Sequence, residues 1–219
     1  SPEGEPVGEH ILQSQTSFDR THFKPLREQT SDASGAPGPV TEYSYNEQGF
    51  LTEEKLFEPD GELIERRSWE PDEKQRILRA FTHYADGSFD VCRYIYDDND
   101  RITEKITEDS EGKPEEREVF NWQQDRLIHE ARYDGEGELL SESTYEYDDQ
   151  GRLISHHINN PEEASGLEKN YEYNQAGHQT RVLTYDQEGE LIARVILTPD
   201  EKGRPVEIID EDRRKKNRS

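Results

Sequence analysis

Short runs with apolar residues near their ends alternate along this chain with polar turns that contain glycine. Residues 51–57 and 139–147 are two such runs, and each is followed by a cluster that contains Asp and Gly. Runs of this length, rich in Thr, Leu and aromatic residues and bounded by turn formers, are typical of β-strands. The pattern predicts an all-β protein made of short strands.

The alternation recurs with a period of about 26 residues. Its marker, called the anchor below, is an aromatic-x-aromatic pair followed by a polar turn and an apolar residue. Residues 145–153 are the best example and read Tyr-Glu-Tyr-Asp-Asp-Gln-Gly-Arg-Leu. Further copies, some of them degenerate, start at Tyr43, Trp69, Tyr94, Phe120, Tyr171 and Leu197. Eight of the eleven tyrosines and both tryptophans lie in anchors, which indicates tandem repeats.

A second turn lies midway through most units. It carries a glycine, as at Gly61, Gly87 and Gly112, and glycine supplies the positive φ that tight hairpin turns require. The unit that starts at Tyr145 has a longer loop in this place, residues 159–166. Each unit is therefore predicted to be a hairpin with strands of about eight or nine residues, and the array an antiparallel meander of roughly thirteen strands.

Composition predicts that this sheet is thin. Only 29% of the residues are hydrophobic, against about 45–50% in ordinary globular domains, and charged or hydroxyl side chains occupy both faces of the strand middles. We predict an extended or curved, largely single-layer sheet, in which rows of aromatic contacts between units replace a thick core. Cross-strand aromatic pairs contribute about 0.2–1 kcal/mol each.

The repeat divides the chain into three regions. Residues 1–40 form an N-terminal extension, in which residues 10–27 are predicted to supply one or two capping strands and residues 32–39 a loop. Residues 41–209 form the repeat array. Residues 210–219 are predicted to be a basic, flexible tail.

The net charge of −24 restricts the class of partner. Nucleic acid and anionic lipid surfaces repel such an acidic body, so no nucleic-acid partner is expected. No apolar run approaches the roughly 18–20 residues of a membrane span. The chain begins at Ser1 and contains no Met, so a processed or a trimmed form is expected, and a removed signal peptide or lipid anchor stays open. The single Cys92 allows no intramolecular disulfide.

No catalytic motif stands out in the sequence. It contains no Gly-rich phosphate loop, no Gly-x-Ser-x-Gly elbow and no Walker motif. The histidines occupy unrelated positions in their units, and the acidic turn at residues 97–100 lacks the ligand spacing of an EF-hand. We expect no enzyme activity, no cofactor and no metal site.

The anchor and its turn resemble the YD repeat of the Rhs family, whose pattern is Tyr-x-Tyr-Asp-x-x-Gly-Arg-Leu. Residues 145–153 match this pattern at every defined position, and residues 94–102 and 43–51 match it in part. The resemblance covers about residues 41–209 and implies a β-meander found in bacterial secreted and cell-envelope proteins. In large family members the arrays curl into a shell around a toxin domain, whereas this sequence is too short to close such a shell.

Three functional hypotheses follow. The first is a non-enzymatic scaffold of the bacterial envelope or secreted fraction (periplasmic, cell-surface or secreted), which binds an unidentified protein partner or mediates adhesion through its sheet surface. The second is a carbohydrate-binding module that presents rows of Tyr and Trp to a glycan. The third is a fragment of an Rhs-type toxin-delivery protein. The candidate binding residues are the anchor aromatics Tyr43, Tyr45, Trp69, Tyr94, Tyr96, Trp122, Tyr145, Tyr147, Tyr171 and Tyr173.

Overall fold

The computed structural model describes residues 13–18, 23–32, 34–161, 163 and 165–212. In this part of the chain every regular element is a β-strand, which confirms the all-β prediction. The strands are β1 Gln13–Phe18, β2 Pro25–Ser31, β3 Pro37–Tyr45, β4 Leu51–Phe57, β5 Leu63–Pro71, β6 Ile77–His83, β7 Phe89–Tyr96, β8 Ile102–Glu108, β9 Pro114–Gln123, β10 Arg126–Asp134, β11 Leu139–Tyr147, β12 Leu153–Asn160, β13 Ser165–Tyr173, β14 Gln179–Asp186, β15 Leu191–Pro199 and β16 Pro205–Asp212.

The strands form one open antiparallel sheet, and their order in the sheet is their order in the chain. This confirms the predicted single-layer meander of hairpins. The sheet divides into two compact units, residues 1–94 with 106–113 and residues 95–105 with 114–219. Within the first unit, β1 to β6 pair in succession. Within the second, β9 to β16 do the same.

The anchor turns connect an odd-numbered strand to the next even-numbered strand, and most share one backbone geometry. After Tyr147, the N–H of Asp148 donates to the carbonyl of Arg152 at 2.9 Å, and the N–H of Gly151 donates to the carbonyl of Asp148 at 2.8 Å. Gly151 has a φ of 82°, and the pairing register shifts beside the turn. This arrangement is a type I turn closed by a glycine bulge. It explains why the motif places Gly three residues after Asp.

Few side chains of the described part are buried. The hydrophobic residues that count as buried there are Val40, Ala131 and Ile192, and no large side chain is fully enclosed. The strand middles are half-buried at most positions. Because a single layer has no second sheet to cover it, each strand is stabilised mainly by its neighbours in the sheet.

The boundaries of the sheet differ from the predicted ones at both ends. β1 and β2 provide the two predicted capping strands, although β2 continues to Ser31. The loop predicted over residues 32–39 is shorter, because Asp32 accepts hydrogen bonds from the N–H groups of Ser34 and Ala36 and closes a tight turn before β3. The described part therefore has sixteen strands, namely these two and the fourteen from β3 to β16, where roughly thirteen were predicted for the array.

At the other end, β16 continues to Asp212, into the segment predicted as a tail. Residues 213–219 of that segment lie outside the described part. The long loop predicted over residues 159–166 is also narrower, because Asn160 still pairs with Ser165 in the β12–β13 ladder.

Candidate functional site

The second aromatic residue of an anchor contacts the strand before it in two ways. The hydroxyl of Tyr147 donates to the carbonyl of Leu127 at 2.9 Å, and the guanidinium of Arg126 lies 5.6 Å from the centre of its ring. We call this pair, a basic side chain and the carbonyl of the next residue at the start of an even-numbered strand, the aromatic socket. Cation–π contacts of this kind contribute about 0.5–1 kcal/mol at exposed sites.

The same socket recurs along the sheet, always with the ring 21 residues after the basic residue. The hydroxyl of Tyr173 donates to Leu153 at 2.7 Å, the indole N–H of Trp122 to Ile102 at 2.8 Å, and the hydroxyl of Tyr45 to Pro25 at 2.9 Å. The corresponding cations are Arg152, Arg101 and Lys24, at 4.7, 5.6 and 5.4 Å from the ring centres. Each unit is thus joined to the preceding one by side chains as well as by the strand ladder.

The Asp of the motif positions the arginine of the socket. Asp148 accepts the N–H groups of Gln150 and Arg152, both at 2.9 Å, and its other oxygen accepts the guanidinium of Arg152 at 2.6–2.7 Å. The backbone and side-chain hydrogen bonds from Arg152 lower the pKa of Asp148 below its ordinary value. The pairs Asp72–Arg76, Asp97–Arg101 and Asp200–Arg204 repeat this ion pair.

The first aromatic residue of an anchor has different partners. The hydroxyl of Tyr145 donates to Glu130 at 2.6 Å, and its ring stacks on His156 with centres 4.4 Å apart. The hydroxyl of Tyr43 donates to Glu28 at 3.1 Å. Burial, and then the hydrogen bond to the carboxylate, raise the pKa of both tyrosines to about 12. Burial, followed by the charge of Lys169, lowers the pKa of His156.

The predicted rows of aromatic-on-aromatic contacts are therefore wrong for these anchors. Tyr45, Trp122, Tyr147 and Tyr173 pack under basic side chains, and Tyr145 packs on a histidine. The physical reason is spacing: anchors of successive units lie two strands apart, which is about 9.6 Å at 4.8 Å per strand. Ring pairs need centres about 4.5–7 Å apart, so a residue of the intervening strand fills the gap.

The ten candidate binding residues are all half-buried. Strand alternation and register put Tyr43, Tyr45 and Trp69 on one face within the first unit. Within the second unit they put Tyr145, Tyr147 and the pair Tyr171 and Tyr173 on one face. Tyr94 and Tyr96 make further contacts of their own. The structure does not test whether any of these residues binds a ligand.

Sequence reasoning missed a set of polar pairs between neighbouring strands. In each pair a basic and an acidic residue lie 13 residues apart in the chain, which is half of one repeat. Arg66 contacts Glu53 at 2.7 Å, and Lys105 contacts Glu118 at 3.1 Å. His129 contacts Glu142 at 2.8 Å, and Arg117 pairs with Glu104. These partners lie diagonally across the ladder, because Arg66 faces Lys55 while Glu53 faces Ser68, and His129 faces Thr144. The 13-residue spacing was visible in the sequence, but the diagonal contact depends on the strand register. Each half-exposed pair contributes about 0–1 kcal/mol.

An acidic depression lies on the face of β11, β12 and β13 that is opposite to the Tyr145 side. Two lines of cross-strand neighbours form it: Thr144, His157 and Glu168, and beside them Glu146, Ser155 and Asn170. Ile154 completes the lining. These residues present carboxylate, hydroxyl, imidazole and amide groups on a platform of three paired strands.

The described part of the chain contains no group of three or more His, Cys, Asp or Glu side chains placed to hold a metal ion. Nor do these residues include a helix with the length and apolar character that crossing a membrane requires.

No protein-family model matches the sequence, and no curated protein matches it. Solved structures do match its fold. The crystal structure of TcdB2-TccC3-Cdc42 aligns with 89% of this chain at a TM-score of 0.66 and 16% identity. That of TcdB2-TccC3 without the hypervariable C-terminal region aligns with 93%, at the same score and identity. This chain spans about a tenth of the length of those chains, since the alignments cover 10% of them.

These comparisons and the sockets define a class: a tandem-repeat β-meander whose units are joined by aromatic side chains. At 16% identity, the likeness to TcdB2-TccC3 shows a shared fold.

Proposed function

We propose that this protein is a non-enzymatic repeat scaffold that binds a basic protein segment through the acidic depression on β11, β12 and β13. The observation that carries the proposal is the alignment of Glu146 and Glu168 with His157 and Asn170 on adjacent strands. The aromatic socket of Arg152 and Tyr173 joins β13 to the start of β12 in this platform, and a preorganised surface lowers the entropic cost of binding. The net charge of −24 favours approach of a cationic partner.

The residues of the YD-like motif support a scaffold in a second way. Within the described residues, Asp148, Gly151, Arg152 and Tyr173 serve the turn and the socket. The fold explains why these motif residues recur. We therefore expect a ligand to contact the residues in the strand middles, which differ from unit to unit. Rigid scaffolds that vary their surface residues are a common basis for specific binding.

The test is capture of a partner by the purified chain, identification of that partner, and titration of the isolated pair by calorimetry. Glu146→Lys with Glu168→Lys is expected to weaken binding at least tenfold, because it replaces two carboxylates of the depression. Glu136→Lys with Glu138→Lys is the matched control, since it makes the same charge change in the β10–β11 turn. Equal effects of the two double variants would contradict the proposed site.

The glycan hypothesis makes a different prediction about the anchors. A sugar that stacks on Tyr or Trp needs an open ring face, whereas the rings of Trp122, Tyr147 and Tyr173 each have a guanidinium over one side. A glycan array with the purified chain distinguishes the two functions. Binding that depends on the anchor tyrosines and persists in Glu146→Lys with Glu168→Lys favours the glycan.

We also propose a bacterial periplasmic, cell-surface or secreted location, for which the resemblance of residues 145–153 to the YD repeat is the support. Fractionation of the native host with an antibody against the chain tests it. Recovery in the cytoplasmic fraction alone would contradict this location.

A further inference from the structure

The two edge strands of the sheet both expose apolar residues, and β1 also lacks the charged residues that usually protect sheet edges. β16 carries four acidic residues, but three of them, Asp210, Glu211 and Asp212, lie at its C-terminal end, and Glu207 is the one charge among residues 205–209. β1 reads Gln-Ser-Gln-Thr-Ser-Phe and carries no charge, and its Phe18 is 56% exposed. On β16, Val206 and Ile208 are 67% and 61% exposed. Edge strands with exposed apolar residues and few charges readily accept another strand.

The last aromatic socket of the chain has no ring over it in the described residues. Its parts are present: Arg204 pairs with Asp200 at 2.6 Å, as in the other anchor turns, and Pro205 follows with its carbonyl. The side chain of Arg204 is 73% exposed, whereas Arg101 and Arg152, which lie over rings, are 20% and 29% exposed. The geometry of the earlier sockets defines what fits: an aromatic residue at the end of an antiparallel strand.

β1 has the features of such a strand. In every socket described above, the ring lies at the end of an odd-numbered strand and the cation at the start of the preceding even-numbered one. Phe18 ends β1, and Lys24, which directly precedes β2, serves the next socket. β16 is even-numbered and β1 is odd-numbered, so β1 placed after β16 continues the alternation without a break.

We propose that β1 of a second copy of this chain pairs antiparallel with β16, with the ring of Phe18 under the guanidinium of Arg204. Phe18 has no hydroxyl, so this contact uses the cation and the ring of the socket and not its carbonyl. The repeat fixes the register. Glu130, His156 and Val182 each face a residue 13 positions later, namely Ser143, Lys169 and Val195. Ile208 is the next position of this series. Ser143 and Lys169 lie four residues before the ring of Tyr147 and Tyr173, and Ser14 lies four residues before Phe18. Ser14 therefore faces Ile208.

This contact is heterologous, because the two copies use different surfaces. It generates chains or rings of protomers rather than a closed two-fold dimer. The net charge of −24 on each copy opposes association at low ionic strength. Raising the salt concentration shortens the screening length to about 3 Å at 1 M, so association is expected to strengthen with salt.

Cross-linking tests the pairing and its register with the full chain in a Cys92→Ser background. A mixture of Ser14→Cys and Ile208→Cys proteins is expected to form disulfide-linked heterodimers, since facing residues have Cβ atoms about 4.5–5.5 Å apart. Gln15→Cys mixed with Ile208→Cys is the register control, because adjacent strand residues point to opposite faces. The proposal would be overturned if Ile208→Cys alone formed disulfide-linked dimers in the same yield as its mixture with Ser14→Cys. It would also be overturned if the mixtures of Ile208→Cys with Ser14→Cys and with Gln15→Cys gave equal yields.

Sedimentation velocity at increasing protein and salt concentration provides an independent measurement. Ile208→Asp and Phe18→Ala are each expected to weaken association at least tenfold. Ile64→Asp is the matched control, because Ile64 is 46% exposed but lies on the internal strand β5. A chain that stays monomeric at all conditions, or an equal loss with Ile64→Asp, would show that the edges do not pair in this way.

Discussion

At the scale of single residues, the second tyrosine of the anchor has a role that the motif alone does not reveal. Tyr147 donates its hydroxyl to the carbonyl of Leu127 and supports Arg126 on its ring. An unpaired half-buried carbonyl is costly, and a net hydrogen bond contributes about 0.5–1.5 kcal/mol. Both the hydroxyl and the ring of Tyr147 therefore contribute to the contact with the preceding strand.

Tyr147→Phe is expected to lower the free energy of unfolding by about 1 kcal/mol, because it removes this hydrogen bond and keeps the ring. Tyr133→Phe is the control: the ring of Tyr133 contacts Arg117, and its hydroxyl has no hydrogen bond within the described residues. Its expected change is near zero. Urea denaturation followed by circular dichroism measures both, and equal changes would refute the role assigned to the hydroxyl.

The first tyrosine of the anchor makes the folded state less stable at alkaline pH. The folded pKa of Tyr145 is about 12 against an ordinary 10.0, so the unfolded chain loses this proton first. The stabilisation is complete below pH 10 and is lost as the pH rises toward 12. In Tyr145→Phe, the fall of the unfolding free energy between pH 9 and about 11 is expected to be smaller than in the parent. Unchanged slopes in urea titrations at these pH values would contradict the prediction.

At the scale of elements, the hairpins depend on turn residues with positive φ. Most turns place glycine there, as with Gly151 at 82°, but Gln124 has a φ of 54° in the short turn between β9 and β10. A residue with a Cβ atom is strained in this region, whereas glycine is not. Gln124 is exposed and its side chain makes no hydrogen bond within the described residues.

Gln124→Gly is therefore expected to raise the free energy of unfolding by about 0.5–1 kcal/mol. Gln123→Gly is the control, because Gln123 lies on β9, where glycine costs roughly 0.5–1 kcal/mol. Thermal and urea unfolding of both variants measure the effects. Destabilisation by both substitutions would show that strain at Gln124 is not significant.

At the scale of the whole molecule, each unit relies on its neighbours rather than on a core. Among the described residues, only Val40, Ala131 and Ile192 are buried hydrophobic residues, and the sockets repeat between units. Stability in such an array is approximately a sum of terms within units and between adjacent units. A whole unit can then be removed without loss of the fold, provided that the alternation of strands is kept.

Deletion of residues 148–173, one unit of 26 residues, joins Tyr147 directly to the turn at Asn174 and restores an anchor. We expect this variant to fold with a strand content reduced by two strands and to unfold in a single transition at a lower denaturant concentration. Deletion of residues 148–160, half a unit, makes β13 follow β11 directly and breaks the alternation. Circular dichroism and urea melts compare them, and equal behaviour would contradict the unit as the structural module.

Much of the fold follows from local pattern. The positions of the hairpin turns are predictable, because residues such as Asp148, Gly151 and Arg152 interact within one turn of five residues. These turns fix where the strands begin and end, and the low content of apolar residues predicts the absence of a thick core. The strand count and the ends of the sheet are less predictable, because β1 and β2 lack a clear anchor. The tight turn at Asp32 is a local feature whose consequence, an earlier start of β3, appears only with the strand ladder.

The sequence by itself determined the repeat, its half-unit spacing and the chemistry of each turn, since these depend on residues close together in the chain. Only the tertiary structure decided what covers each ring, because Tyr147 and Arg126 are 21 residues apart and meet through the register of β10 and β11. The same register decided that Glu146 and Glu168 share a depression. It also left Arg204 and Ile208 exposed at the edge. Strand pairing is a non-local interaction, and a shift of one residue moves every side chain to the other face.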